Sequence, residues 1–311
     1  MNPADHAIPS ANELTAAIPE LADCVAIEPI DKGYSGDIKL RATLVDGSSY
    51  LLRLFDRQTL PSRAAEFELL RTLEGKDVRC SRPVRLGAFE QGDNGYMLLR
   101  YIEGRDGEAQ IGAYPPLTQY RIGCEAGEQL RLMHSIGAPA DVPGWAQRKI
   151  AKHRSYAERY RRLGVRFAGG ERVLDWIATN LDAMDGSANV FQHDDFHLNN
   201  LILRNGKLAG VIDFERYDWG DPAHDFLKLG FFCRQLSVPY AVGQIRGYFY
   251  GGEPDALFWR RYALYVAMCT ISSAVWTAET VPGELDAMLE RIGGVMDDHD
   301  GFERVRPRWY A

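Results

Sequence analysis

The chain has 311 residues, 46% of them hydrophobic, and a formal charge of −7, enough apolar material for a buried core and, at about 100 to 200 residues per domain, for two lobes. The negative balance disfavours nucleic acid as the main partner, because duplex binding needs a positive footprint. Five cysteines, Cys24, Cys80, Cys124, Cys233 and Cys269, are odd in number, widely spaced and form no C-x-x-C pair, which excludes a disulfide framework or a zinc ribbon and suits the reduced thiols of a cytoplasm. The opening MNPADHAIPSANELT has no cationic segment followed by an apolar one, so no export is expected.

The first third reads as strands. Asp31 to Ile38 is turn chemistry, and the β-rich runs Lys39 to Val45 and Tyr50 to Phe55 flank Asp46-Gly47-Ser48, a hairpin signal. After Pro61, SRAAEFELLRTLEG puts Ala65, Leu69, Leu70 and Leu73 at helical spacing and stops at Gly75. Two further strands are predicted, Arg82 to Phe89 and Tyr96 to Tyr101, parted by the turn 91–95. From Gly104 the pattern becomes helical. Thr118 to His134 carries a stripe of Tyr120, Cys124, Gly127, Leu130 and His134, with Gly123 and Gly127 allowing close helix approach. A helical hairpin is expected over about 145–184, Trp145 to Arg162 and Glu171 to Met184, broken at Gly164, Gly169 and Gly170. Further helices are expected near Asp225 to Leu236, Pro239 to Tyr250, Phe258 to Trp276 and Glu284 to Gly293. The stretch Tyr262 to Trp276 is too short to span about 30 Å of hydrocarbon and reads as a buried core helix, so no membrane partner is expected. The basic run Arg148 to Arg166 reads as the solvated face of an amphipathic helix.

The chemistry concentrates in VFQHDDFHLNN, residues 190–200, and in LILRNGKLAGVIDFERYDWGDPAHDF after it. Asn205-Gly206 is a strong hairpin signal that folds Leu201 to Leu203 back on Leu208 to Ile212. Counting outward from the turn, Asn200 falls near Val211, so Asn200 and Asp213 are expected together at the open end. An amide oxygen and a carboxylate suit Mg²⁺, a hard cation that keeps positions for water and phosphate. Asp195, on the loop entering the hairpin, is then available as a base.

His193-x-Asp195-x-x-x-x-Asn200 followed by Ile212-Asp213-Phe214 resembles the catalytic loop and metal-binding motif of the protein-kinase-like superfamily. Together with Gly220-Asp221-Pro222-x-x-Asp225, it resembles the aminoglycoside phosphotransferase and choline kinase family. That resemblance implies an α+β, protein-kinase-like two-lobe fold: a β-rich nucleotide-binding lobe over residues 1–103, a hinge at about 99–105, and a larger, mainly helical catalytic and substrate-binding lobe over 104–311. It implies Asp195 as the catalytic residue on the acceptor hydroxyl and Asn200 and Asp213 as metal ligands beneath the phosphates of ATP or GTP. His193 and Asp225 become braces of the loop, and His197 and His224 receive no catalytic role.

On the nucleotide side, Arg53 stands where kinases carry a phosphate-pairing lysine, with Glu66 as its partner and Glu68 as the rival; guanidinium and ammonium are not interchangeable there. Tyr34, Ser35 and Gly36 lie where backbone N–H groups would cradle phosphate, and Arg100 and Ile102, in the hinge, would present main-chain groups to the adenine.

The acceptor implied is a small molecule with a free hydroxyl, first an aminoglycoside-like or other antibiotic, alternatively choline, an amino alcohol or a sugar. Glu215, Asp218 and Asp297-Asp298-His299-Asp300 are candidates to receive a cationic acceptor, whereas the basic helix fits one poorly. Two other classes are open: a zinc hydrolase built from His193, Asp195, His197 and Asp213, and a nucleotide-binding module without catalysis. The sequence departs from the family pattern at Asp194, where glycine is frequent; its carboxylate is expected to face away from the phosphate, since neighbouring residues on an extended loop point apart, whereas an inward one would raise one pKa by like-charge repulsion and help attract a cationic acceptor.

Overall fold

Alternation along the strands builds a five-stranded sheet. In the computed structural model, which describes residues 9–30, 36–90 and 92–310, β1 (Cys24–Pro29), β2 (Ile38–Leu44), β3 (Ser49–Asp56), β4 (Pro83–Ala88) and β5 (Asn94–Arg100) take the order β1–β2–β3–β5–β4. Each neighbouring pair is antiparallel. Tyr50, Leu52 and Leu54 of β3 point to one face, where they join Leu40, Ala42, Tyr96 and Leu98 in a core closed by Leu14 and Ile18. Leu14 lies on helix α1 (Ala11–Ala17), whose first turn is closed by a Ser10–Glu13 capping box. The opposite face of β3 presents Arg53, directly across from Lys39 on β2 and Met97 on β5. Helix α2 (Leu60–Glu74) buries Glu66, Leu69, Leu70 and Leu73 and ends at Gly75.

The chain divides into two units, but not by a single cut: residues 209–215 belong with 1–104, and 105–208 with 216–311. The short return at 209–215 comes from the predicted hairpin, whose turn has Asn205 and Gly206 both at positive φ, 52° and 72°. The second unit contains β6 (Arg105–Asp106), α3 (Gly107–Gln110), α4 (Pro116–Met133), α5 (Trp145–Leu163), α6 (Gly170–Thr179), β7 (Val190–Gln192), β8 (Leu201–Arg204), the first residues of β9 (Lys207–Val211), β10 (Asp218–Gly220), α7 (Val238–Tyr248), α8 (Ala256–Thr280) and α9 (Leu285–Asp298).

Two helix expectations change. The segment expected to continue to Met184 breaks at Asn180, whose side-chain amide donates to the Trp176 carbonyl at 2.8 Å, and a short 3-10 turn, Leu181–Met184, follows. The helix expected over Asp225 to Leu236 is instead a 3-10 turn, Pro222–Phe226, and a π turn, Leu229–Cys233, because the Asp225 carboxylate is tied to another loop.

Gly123 and Gly127 of α4 meet α7 at backbone contact: a Cβ on Gly127 would lie 2.0 Å from the Gln244 carbonyl oxygen, and one on Gly123 would lie 2.2 Å from that of Tyr240. Helix α8 is buried over most of its length, as expected of a core helix. No helix of the described residues is long and apolar enough to cross a membrane, and the five cysteines are free thiols.

Candidate active site

Within the second unit, β7 pairs antiparallel with β10, Gln192 opposite Asp218 and Val190 opposite Gly220, and the chain leaves β7 directly into His193-Asp194-Asp195. Buried Phe196 and Leu198 anchor the loop in the core. Asp225, fully buried, accepts the main-chain N–H groups of His193 and Asp194, both at 2.8 Å, and lies 3.1 Å from His134 Nε2. One carboxylate thus satisfies two buried donors that would otherwise be orphaned. His193 is also fully buried; its Nδ1 accepts the Asp195 N–H at 3.3 Å and its ring meets Phe196 edge-on. Both residues act as braces.

Asp195 keeps 21% of its side chain exposed. Its Oδ1 is 2.8 Å from Lys228 Nζ and 3.4 Å from His197 Nε2, and Asn200 Nδ2 donates to its carbonyl oxygen at 2.9 Å and to Oδ2 at 3.3 Å. Burial alone would raise its pKa, but the hydrogen bond from His197 and the Lys228 charge hold it well below the usual carboxylate range. Such a group is ionised at neutral pH and accepts hydrogen bonds rather than donating them. With its nitrogen turned to Asp195, Asn200 keeps its amide oxygen for another partner.

Asp194 has φ 61°, a left-handed conformation that glycine adopts freely and other residues at a cost. Its Oδ1 is 3.3 Å from His224 Nδ1, and His224 Nε2 is 2.6 Å from Lys149 Nζ. Burial opposes ionisation of Asp194, yet His224 and the charges of Lys228 and Lys149 hold its pKa far below the carboxylate range. Burial pushes Lys149 down to about 8 and lowers His224 as well. The hydrogen-bond partner of the Asp194 side chain is thus His224, whereas those of Asp195 include Lys228 and Asn200, although the Lys228 charge acts on both. The basic helix is not simply a solvated face: Arg148 pairs with Asp218 at 2.9 Å, and Lys149 turns inward.

In the first unit, Arg53 pairs with Glu66 as expected, at 2.5 Å, while Glu68 is exposed. Arg53 also bonds Asp37, at 2.9 Å from Nε and 2.6 Å from Nη2, and Glu215. Arg63 bonds the same three carboxylates. Burial would lower the Arg53 pKa, but Glu66, Asp37 and Glu215 raise it, and the Arg53 and Arg63 charges lower that of Glu215. Two guanidiniums thus share three carboxylates. Lys39, across from Arg53, adds its charge to Glu215.

Asp213 is exposed with φ 66°, and Gly36 lies in an exposed bend; Tyr34 and Ser35 lie outside the described residues. In the segment expected to form a hinge, the Arg100 N–H goes to the Arg82 carbonyl and the Tyr101 N–H to that of Ser49, at 2.8 and 3.1 Å. Arg100 stacks its guanidinium on Tyr50, 4.6 Å from the ring centroid. Among the described residues, the Ile102 N–H has no such backbone partner.

Sequence reasoning missed Lys228, Lys149, Arg63 and Asp37. Lys228 follows Asp225 by three residues, and that spacing was the only signal available for it.

Oxygen donors at Asn200 and Asp213 suit a hard cation. Among the described residues, no group of three or more His, Cys, Asp or Glu side chains is arranged to hold a metal ion.

Comparison with known structures gives several full-length likenesses. The GDP complex of wild-type aminoglycoside 2'-phosphotransferase-IIIa aligns at TM-score 0.67 and 15% identity, covering 91% of this chain and 96% of that one. ADP-bound aminoglycoside phosphotransferase APH(2'')-Ib aligns at 0.62 and 17%, covering 96% and 97%. The streptomycin–ATP–APH(2")-IIa ternary complex aligns at 0.60 and 18%, covering 93% and 97%. At these identities the likeness establishes the fold, which is the kinase-like α+β arrangement expected. A comparison with curated protein sequences returned no match. The sequence profile of the phosphotransferase enzyme family, APH, matches residues 26–262, and over that span the chain belongs to this family.

Proposed function

We propose that the protein transfers the γ-phosphoryl group of ATP or GTP to a hydroxyl of a small molecule. The observation that carries this reading is the loop at Asp195: a partly exposed carboxylate bonded by Asn200 and Lys228, on a loop whose preceding N–H groups, those of His193 and Asp194, are held by Asp225. Asp195 accepts the hydrogen bond of the acceptor hydroxyl and aims its oxygen at phosphorus, so positioning supplies much of the rate. Solved neighbours carrying GDP, ADP, or ATP with streptomycin support a nucleotide donor.

On this reading Asn200, through its amide oxygen, and Asp213 would hold Mg²⁺, which when bound would neutralise phosphate charge. The Ile102 N–H faces the adenine, and main-chain groups near Gly36 approach the phosphates. Arg53, fixed by Glu66, serves the phosphate side once Asp37 or Glu215 yields its place. The neighbours' streptomycin and gentamicin make antibiotics one acceptor class to assay; choline, amino alcohols and sugars are the other.

Incubation with ATP or GTP, Mg²⁺ and a panel of these acceptors tests the reading. Phosphorylated acceptor with matching nucleoside diphosphate is the expected result. Nucleotide that stays intact with every acceptor refutes it.

A further inference from the structure

Around Asp195 the second unit pairs three acidic side chains with cations, while Asp225 is spent on the N–H groups of His193 and Asp194. Lys228 lies 2.8 Å from Asp195, Lys149 reaches Asp194 through His224, and Arg148 holds Asp218 at 2.9 Å. Asp195, Asp194 and Asp218 thus each have a cation within reach, directly or through His224. The other acidic positions suited to a cationic acceptor are also taken: Asp298 pairs with Arg234 at 2.8 Å, Asp300 with Arg308 at 3.0 Å, and Glu215, in the first unit, with Arg53 and Arg63. Asp297 is exposed, and Arg166 shares the lining of its cavity.

A hydroxyl bound to Asp195 shares that carboxylate with Lys228. An ammonium on the carbon beside the hydroxyl would come within about 5 to 7 Å of Lys228 Nζ, inside the screening length of roughly 8 Å at physiological salt. A carboxylate there would face Asp195 instead. We propose that the acceptor is an electrically neutral polyol, a sugar-like compound with neither an ammonium nor a carboxylate beside the reacting hydroxyl, and that Lys228 sets this preference.

The proposal rests on the phosphotransferase reading of Asp195. In the step, the acceptor oxygen bonds the γ-phosphorus, the bond from that phosphorus to the bridging oxygen breaks, the nucleoside diphosphate leaves with the electron pair, and the hydroxyl proton passes by way of Asp195 to water.

The test uses matched acceptors, a hexose with its 2-amino and uronic acid analogues and inositol with its amino analogue, alongside streptomycin and gentamicin. The measurement is kcat/KM for formation of the phosphorylated acceptor by the full chain. The wild type is expected to favour the neutral member of each set by about tenfold or more. Lys228→Met should raise the aminated-to-neutral ratio at least tenfold, and Lys228→Arg should leave the order unchanged. Preference for an aminated or acidic member, transfer to no neutral member, or an unchanged ratio in folded Lys228→Met overturns the proposal. If that variant fails to fold by thermal melting, the wild-type order and Lys228→Arg decide. Absence of any nucleotide turnover, by contrast, counts against the phosphotransferase reading beneath it.

Discussion

Replacing Asp225 by alanine strips the loop that carries Asp195 of its main internal support. The Asp225 carboxylate is fully buried and accepts the N–H groups of His193 and Asp194 at 2.8 Å each, with His134 Nε2 at 3.1 Å. Each orphaned buried donor costs about 1–3 kcal/mol, so the two backbone groups together cost about 2–6 kcal/mol before His134 is counted. Against a typical folding stability of about 5–15 kcal/mol, this is a large fraction. Asp225→Asn keeps one acceptor oxygen but turns an NH₂ group toward a donor, and should lose about half as much. Urea unfolding followed by circular dichroism measures the loss, and initial phosphotransfer rates on the folded fraction report on the loop. If Asp225→Ala unfolds within about 1 kcal/mol of wild type, an unmet-donor penalty of the size given above does not operate here, and the bracing account is wrong.

At the α4–α7 contact, Gly127→Ala forces a Cβ against the Gln244 carbonyl and should destabilise by about 1–3 kcal/mol or more, read as a lower urea midpoint at unchanged slope. Asp194→Gly relieves a left-handed backbone worth about 1–2 kcal/mol but leaves the half-buried Lys149 and the buried His224 without their carboxylate, an unmet-partner cost of about 1–3 kcal/mol or more. The net effect should be destabilising, and Lys149→Met should offset it in a double-mutant cycle. His299, 1% exposed, has its pKa pushed down to about 4 by burial. The unfolded chain therefore binds the proton first, and stability is full above about 6.5 and falls by up to about 3 kcal/mol as pH drops to 4. Urea midpoints at pH 7 and 4.5 should show His299→Phe with the flatter decline, the remaining slope owing partly to His153, whose pKa is likewise pushed down to about 4.

Local signals were the readable ones. Asn205-Gly206 dictates its own turn, the alternation of β3 separates the apolar face from Arg53, and the spacing of His193, Asp195 and Asn200 places them on one loop. Gly123 and Gly127 foretold a close helix contact, though not that α7 would be the partner. Contacts between distant segments were not legible: nothing local joins Arg63 to Glu215, Lys228 to Asp195, or Lys149 to Asp194. Charge along α5 shows an amphipathic helix without saying which basic residues turn inward, and Arg148 and Lys149 do so because their turn abuts β10 and His224. Strand β1 shows little apolar alternation and is mostly exposed, so it offered no pattern to detect. The departure at Asp194 was visible, but its partners were not.

Transfer of label from [γ-³²P]ATP to an acceptor hydroxyl, compared between the wild type and Asp195→Asn, tests the central claim most directly. The account predicts labelled acceptor from the wild type and a loss of about 10²- to 10⁴-fold in Asp195→Asn, with nucleotide binding retained by calorimetry. Undiminished transfer by Asp195→Asn, or label released by the wild type only as inorganic phosphate whatever the acceptor, would contradict it.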